Sequence, residues 1–238
     1  MRRVLFAILG VAATGVIASA ADLPAKAPSL NPPIIVPAYN WTGFYVGVAG
    51  GAGLGSSTHS SPLIPIDFSG TFDVNGGIVG ATAGYNWQSG PVVFGVEGDI
   101  SKSWFKGSTA GVPPVFCPPG GALANCATEL QWLGTARGRI GYAWDRVLPY
   151  ATGGVAYGNL RGSSDNGANS GSMTRAGWTV GAGVEVMLAA SWSAKLEYLY
   201  VDLGTAKSLF IRNPGAIPFD VSFRTNIVRA GLNYKFGL

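Results

Sequence analysis

Charged side chains are scarce in this sequence, and beyond the first 20 residues no apolar run is long enough for a membrane-spanning helix. Only 12% of the 238 residues are charged, whereas soluble proteins usually carry about 25%. The mean hydropathy is nevertheless positive. Apolar residues that are abundant but form no long run are dispersed, and alternation along β-strands disperses them. The composition therefore favours a β-protein that closes into a barrel within lipid.

Histidine and cysteine are nearly absent, which leaves few groups for catalysis or metal binding. The one histidine, His59, lies in a serine-rich segment, and we interpret it as solvated surface. The two cysteines, Cys117 and Cys126, share a Pro/Gly-rich segment without the further ligands that a metal site needs. In an oxidising compartment we expect them to form a disulfide, the alternative being two buried thiols. We predict no catalytic, cofactor-binding or metal-binding residue.

Residues 1–20 have the features of a signal peptide. Two arginines precede the apolar stretch Val4–Ile17, and Ala18-Ser19-Ala20 has the small-x-small pattern of a cleavage site. A retained spanning helix is disfavoured because it needs about 20 apolar residues. We predict cleavage after Ala20, followed by a proline-rich periplasmic leader over residues 21–40.

Residues 41–238 are predicted to form one outer-membrane barrel domain. Each of eight strand-like runs is long enough to cross a bilayer, which takes about 9–11 residues. The runs are Phe44–Gly53, Gly76–Trp87, Val92–Trp104, Leu130–Tyr142, Val147–Asn159, Thr174–Leu188, Trp192–Asp202 and Phe223–Phe236. Long gaps (54–75, 105–129, 160–173, 203–222) alternate with short turns. Outer-membrane barrels have short periplasmic turns and long outer loops, so we expect the four long gaps to be mobile, partner-facing loops outside the cell.

Apolar and polar residues alternate along most of the runs. In the third run, Phe94, Val96 and Ile100 alternate with Glu97 and Asp99. The fifth run shows no clear faces. Large aromatic residues concentrate at the strand ends, where interfacial girdles lie: Trp87, Phe94, Trp104, Trp132, Tyr142, Trp192 and Phe236. A soluble β-sandwich also alternates, but it does not explain this placement of the aromatics.

The polar face carries charges that would be costly in contact with lipid. They comprise four acids and five bases: Glu97, Asp99, Glu185, Glu197, Arg137, Arg139, Lys195, Arg229 and Lys235. We expect these side chains to pair inside the barrel and fill it with a polar core. Neighbouring carboxylates can also serve acid/base catalysis, but the adjacent arginines account for them.

One register of the third and fourth runs satisfies several pairs at once. If Glu97 faces Arg139, then Asp99 faces Arg137. The same register sets Trp104 opposite Trp132 and Phe94 opposite Tyr142. Opposite charges and aromatic pairs across strands are both favourable, so we predict this register.

Several motifs carry a family resemblance. They include Trp41-Thr-Gly-Phe-Tyr-Val-Gly, Val93-Phe-Gly-Val-Glu-Gly-Asp and Val228-Arg-Ala-Gly-Leu-Asn-Tyr-Lys-Phe. From about residue 40 to the end, the chain resembles the 25/31-kDa outer-membrane immunogenic proteins of rhizobia and Brucella, often labelled "porin family". The resemblance implies an eight-stranded, antiparallel up-and-down transmembrane barrel like that of the OmpA class, in a Gram-negative outer membrane. Such chains usually end on an aromatic residue, whereas Gly237 and Leu238 follow Phe236 here.

Three functions are compatible with such a barrel. The leading one is a structural envelope protein that displays four loops. Its expected partners are outer-membrane lipids and lipopolysaccharide, the barrel-assembly machinery during insertion, and host or surface ligands at the loops; no basic run suggests nucleic acid. The second is a narrow porin-like channel for small solutes, although side chains can fill an eight-stranded barrel. The third, a lipid-modifying enzyme, would need a nucleophile with a histidine base, and one loop histidine disfavours it.

Overall fold

The computed structural model describes residues 39–60, 67–110, 125–164, 169–209 and 219–236, which form eight strands. These are β1 Gly43–Ser60, β2 Asp67–Ser89, β3 Val92–Ala110, β4 Asn125–Tyr142, β5 Val147–Ser164, β6 Asn169–Ala189, β7 Trp192–Leu209 and β8 Phe219–Lys235. Each strand pairs antiparallel with the next, and β1 also pairs with β8. The predicted eight-stranded up-and-down barrel is therefore confirmed. The predicted signal peptide and most of the leader lie outside the described residues.

No helix in the described ranges is long and apolar enough to cross a membrane.

The connections at one end of the barrel are short turns, as predicted. Gly90 and Pro91 join β2 to β3, and Gly90 has a φ of 58°, a left-handed conformation that glycine adopts without strain. Residues 143–146 join β4 to β5, and residues 190–191 join β6 to β7. The strand boundaries at this end lie within two residues of the predicted ones.

At the opposite end the strands extend well beyond the predicted runs. β1 and β2 stay paired as far as Ser60 and Asp67, β3 and β4 as far as Ala110 and Asn125. The prediction of long loops is therefore wrong over most of segments 54–75, 160–173 and 203–222, and wrong at both ends of segment 105–129. Of those segments, only residues 61–66, 111–124, 165–168 and 210–218 lie outside the described ranges.

The polarity of the two strand faces reverses along the strands, which explains the extended hairpins. In β8, nearer the short turns, Arg229 points inward and Val228 outward; farther out, Phe223 is buried inside and Arg224 is exposed. A strand in lipid needs an apolar outer face, whereas a sheet in water can carry a polar outer face over an apolar core. The reversal thus marks where the barrel leaves the membrane.

The extended end encloses an apolar core inside the barrel. We call it the outer apolar cluster; its buried members are Phe72, Val74, Ile78, Phe105, Cys126, Leu130, Leu133, Ala156, Leu160, Leu199, Val201, Leu203, Ala206, Val221, Phe223 and Ile227. Strands β2, β3, β4, β5, β7 and β8 supply these buried members, and Met173 of β6 packs against them. Burial of this apolar surface stabilises the hairpins beyond the membrane.

His59 is not a solvated surface residue, and that interpretation is wrong. Its side chain is completely buried at the outer end of β1, with the ring 5.6 Å from that of Phe72. Nε2 shares a hydrogen bond with Oγ1 of Thr128 at 2.8 Å. Burial lowers the pKa of His59 to about 4 because it disfavours the charged form. The imidazole is therefore neutral at neutral pH and belongs to the packed interior.

The predicted disulfide involves one residue outside the described ranges, Cys117. Cys126 is completely buried in the outer apolar cluster, and none of the described cysteines is free. The pairing remains a prediction. Mass spectrometry of the unreduced protein is expected to show a Cys117–Cys126 bond, and reduction should destabilise the outer end by about 2–3 kcal/mol. Detection of two free thiols would contradict it.

Candidate functional site

Buried charges form a layer across the barrel interior. The layer has four acids (Glu97, Asp99, Glu185, Glu197) and four bases (Arg137, Arg139, Lys195, Arg229), none more than 9% exposed. Inward positions of β3, β4, β6, β7 and β8 supply them. With equal numbers of acids and bases, this charged layer is neutral overall, which a buried set of ions requires.

Arg137 is the centre of the charged layer. Its guanidinium group pairs closely with Glu97, lies 3.2 Å from Asp99 through Nη2, and lies 3.0 Å from Glu197 through Nη1. Arg229 joins the last two carboxylates again, with Nε 2.6 Å from Glu197 and Nη2 3.0 Å from Asp99. These contacts connect β3, β4, β7 and β8 across the lumen.

A second set of contacts extends the network to β6. Lys195 Nζ lies 2.8 Å from Glu97 Oε2. Arg139 lies between two carboxylates, 2.7 Å from Glu185 and 3.7 Å from Glu97. Asn233 Nδ2 donates to Glu185 at 2.8 Å. Every carboxylate of the layer therefore has at least one basic partner and one further hydrogen-bond donor.

Two inward tyrosines complete the layer, and sequence reasoning missed both. Tyr45 Oη donates to Glu97 at 2.8 Å. Tyr150 Oη donates to Glu197 at 3.0 Å, and its ring lies 4.2 Å from the guanidinium carbon of Arg139. Tyr150 lies on the strand whose faces the sequence left unassigned. Successive side chains of a strand point to opposite faces, and Phe44 points outward. Tyr45 must therefore point inward, and this alternation could have identified it.

The register predicted for the third and fourth runs is wrong by two residues. In the β3–β4 ladder, Glu97 faces Arg137 and Phe94 faces Ile140. A shift of two preserves which face each side chain occupies, so alternation cannot detect it. Both predicted ion pairs still form, Asp99–Arg137 at 3.2 Å and Glu97–Arg139 at 3.7 Å. Long arginine side chains reach them diagonally.

Neither predicted aromatic pair is a pair of ladder partners. Trp132 faces Lys102, and a register shift separates that pair from the next one outward. The predicted girdle residues Trp87, Phe94, Trp104, Tyr142, Trp192 and Phe236 are all exposed on the outer surface, and Trp132 is partly buried. Near the short turns, the ring of Tyr234 lies 5.1 Å from Trp192 and 5.0 Å from Phe236.

A second apolar cluster closes the end with the short turns. Trp41, 2% exposed, packs with Val93, Leu148 and Met187, and the ring of Tyr39 packs against it. We call this the inner apolar cluster.

Lys235 lies beside the inner apolar cluster and not in the charged layer where it was expected. Its ammonium group donates to the carbonyl oxygen of Asn40 and lies 4.5 Å from the centre of the Tyr39 ring. Lys235 thus holds the segment before β1 in the barrel mouth.

Two glycines make room for the tyrosines. A Cβ atom on Gly84 would overlap the Tyr45 hydroxyl and lie 2.6 Å from the carbonyl oxygen of Val96. A Cβ on Gly183 would lie 2.7 Å from the Tyr150 hydroxyl. The two tyrosines therefore fit into the charged layer only because the neighbouring strands carry glycine at these positions.

Replacement of Gly84 with alanine is expected to lower the free energy of unfolding by about 1–3 kcal/mol, since it overpacks a filled interior. The control is Gly98→Ala, whose Cβ would meet nothing closer than 3.8 Å. Urea unfolding in detergent measures both variants. Equal stability of the two would contradict this packing of Tyr45.

Within the described ranges, no group of three or more histidine, cysteine or acidic side chains could hold a metal ion. The buried charges instead hold one another in fixed positions. The arrangement can cross-link strands and obstruct the lumen.

Comparison with known proteins places the chain among outer-membrane proteins. It is 38% identical over 235 residues to the 31 kDa outer-membrane immunogenic protein of Brucella melitensis biotype 1, covering 92% of this chain and 93% of that one. It is 31% identical over 226 residues to the 25 kDa outer-membrane immunogenic protein of Brucella abortus biovar 1 (92% and 91%). It is 32% identical over 205 residues to the 22 kDa outer membrane protein of Rhizobium leguminosarum bv. viciae (85% and 81%).

Solved structures share the fold. OprG of Pseudomonas aeruginosa has a TM-score of 0.53 and 14% identity, covering 83% of this chain and 98% of that one. The outer membrane protease OmpT of Escherichia coli also has a TM-score of 0.53, at 7% identity and the same coverage. At such identities the likeness concerns the fold alone. The family model described as "Outer membrane protein beta-barrel domain" matches residues 8–236, and the chain belongs to this family of Gram-negative outer-membrane proteins.

Proposed function

We propose that this protein is a structural outer-membrane barrel with a closed lumen, which contributes to envelope integrity and displays its outer hairpins at the cell surface. The alternative is a narrow porin-like channel for small solutes. The observation that supports the structural role is the filling of the lumen by three successive layers. The inner apolar cluster, the charged layer and the outer apolar cluster follow one another along the barrel.

The charged layer is the strongest obstruction to ion flow. A passing ion would have to separate Arg137 or Arg229 from the three carboxylates that each of them contacts, those of Glu97, Asp99 and Glu197. Breaking buried pairs leaves uncompensated charge and is strongly unfavourable. Buried apolar side chains on both sides of the layer make hydration of the approach to these groups unfavourable. The interior of an eight-stranded barrel is also narrow enough for side chains to fill it.

The proposed partners follow from the outer surface. Outer-membrane lipids and lipopolysaccharide surround the apolar band and its girdles, and the barrel-assembly machinery acts during insertion. Host or surface ligands would meet the hairpins beyond the membrane. We propose no catalytic role, since His59 is completely buried and its Nε2 is engaged by Thr128.

Planar-bilayer recording of the refolded protein tests closure. We expect the wild type to give no stepwise conductance. Stable steps whose ion selectivity changes in a Lys195→Glu variant would show flow through the lumen and support the channel. Steps that are identical in both proteins would come from a contaminant or from leakage outside the lumen.

Protease added to whole cells is expected to cut the outer ends of the hairpins. The hydrogen-bonded ladder between β6 and β7 ends at Trp178 and Asp202. Beyond it, residues 169–177 of β6 and 203–209 of β7 are not paired with each other, and we expect these segments to open most readily. Mass spectrometry of the fragments locates the cuts. Cuts confined to the turns near Gly90 or Ala190 would show that the short turns, and not the long hairpins, face the outside of the cell.

A further inference from the structure

We propose that a polar cleft on the outer surface of β3–β5 binds the phosphorylated sugar headgroup of lipopolysaccharide. The cleft has a volume of about 430 Å³ and is lined mainly by these strands. In the ladders, Lys106 faces Glu129 and Glu129 faces Arg161; one row farther out, Ala127 lies between Ser108 and Ser163. The small side chain of Ala127 forms the floor of the cleft. This site is distinct from the lumen and does not depend on whether the lumen conducts.

The charges of the cleft favour an anion that also carries hydroxyl groups. Two cations flank one carboxylate, with Lys106 Nζ 3.0 Å from Glu129 Oε1. The Lys106 side chain is still 66% exposed. Among the described residues, the ion pairs include no carboxylate bound to Arg161. A free guanidinium group suits bidentate binding of phosphate, while the carboxylate and serine hydroxyls can hydrogen-bond to a sugar.

The depth of the cleft places it at the lipid headgroups. Phe94 to Trp104 is ten steps along β3, roughly 33 Å, which corresponds to about 25 Å of height for a strand tilted by about 40°. Lys106 lies two residues beyond Trp104, only ~7 Å farther along the strand. Trp104 and Trp132 therefore mark the interface, and the cleft begins directly above it. The phosphates of the outer-leaflet glycolipid lie at this level.

The surface below the cleft can receive acyl chains. Between the cleft and the middle of the apolar band, outward positions of β3–β5 hold Ile100, Trp132, Gly134 and Tyr157. Lys102, also outward at this level, can extend its ammonium group toward the headgroups. A mainly apolar surface under a cationic cleft matches a molecule with a phosphorylated head and acyl chains. Free phosphate would bind in the cleft alone, whereas lipopolysaccharide would also contact the surface below it. This difference distinguishes the lipid from free phosphate as the ligand.

The test uses the full-length refolded protein in detergent with deep-rough lipopolysaccharide as the probe. We expect the probe to raise the unfolding temperature saturably. The double variant Lys106→Gln/Arg161→Gln should raise the half-saturating concentration at least about tenfold, the effect of losing one charge-assisted hydrogen bond. The control Arg224→Gln, an exposed arginine on β8 paired with Asp202, removes the same kind of charge elsewhere and should bind like wild type.

Two further arms make the outcome decisive. Ser163→Trp fills the cleft without changing its charge and should weaken binding as much as the double variant does. Dephosphorylated lipopolysaccharide should bind wild type and the double variant equally weakly. Wild-type affinity in both variants would overturn the proposal. Equal stabilisation by millimolar inorganic phosphate would also overturn it, because the site would then recognise free phosphate and not the lipid.

Discussion

Replacement of Arg137 with methionine is expected to lower the free energy of unfolding by about 3–5 kcal/mol, the cost of removing one partner from a buried ion pair. The guanidinium group is completely buried and contacts Glu97, Asp99 and Glu197. Without it, three carboxylates share the remaining bases, and the layer acquires net negative charge. Urea unfolding of the refolded protein in detergent, followed by the shift between folded and unfolded forms on a gel, measures the loss.

Removal of a carboxylate together with the arginine should restore part of this stability. In the double variant Arg137→Met/Glu197→Gln the layer is neutral again, and the two effects should not add. Arg224→Ala is the surface control, because the Arg224 side chain is 66% exposed and its pair with Asp202 should contribute less than about 1 kcal/mol. Strict additivity of the two interior substitutions would contradict the contact between Arg137 and Glu197.

Replacement of Phe105 with alanine is expected to lower the free energy of unfolding by about 3–5 kcal/mol. The side chain is completely buried in the outer apolar cluster. Truncation would leave a cavity in the apolar core that stabilises the paired strands beyond the membrane. In a solvated loop, as the sequence pattern suggested, the same change would cost less than about 0.5 kcal/mol.

Hydrogen exchange of the β3–β4 amides locates the effect of Phe105→Ala. Exchange should accelerate at the outer ends of the two strands before it does so near the short turns. Phe94→Ala is the matched control, since Phe94 lies on the same strand but faces outward at the girdle. If both phenylalanine variants were equally stable, the outer end of the barrel would not contain a packed apolar core.

The sequence by itself determined the barrel, the number of strands and the face of most residues between the girdles. Each of these depends on an alternation of apolar and polar residues within a single strand. The alternation arises because charged side chains facing lipid are destabilising, whereas apolar ones are favourable there. Glu97, Arg137 and Arg229 were assigned to the interior on this basis alone, and all three are buried there.

Only the tertiary structure decided how the strands register, how the charges combine and where the polarity reverses. A shift of two residues leaves every side chain on the same face, so the pattern allowed Glu97 to face either arginine. Alternation along β1 could have placed Tyr45 inside the barrel, but no local pattern shows that Tyr45 and Tyr150 reach the charged layer. They do so because opposite walls of a narrow barrel lie close together. Phe105 and His59 were misplaced in loops for a related reason. Beyond the membrane the solvent changes from lipid to water, and the same alternation then buries apolar side chains inside the barrel.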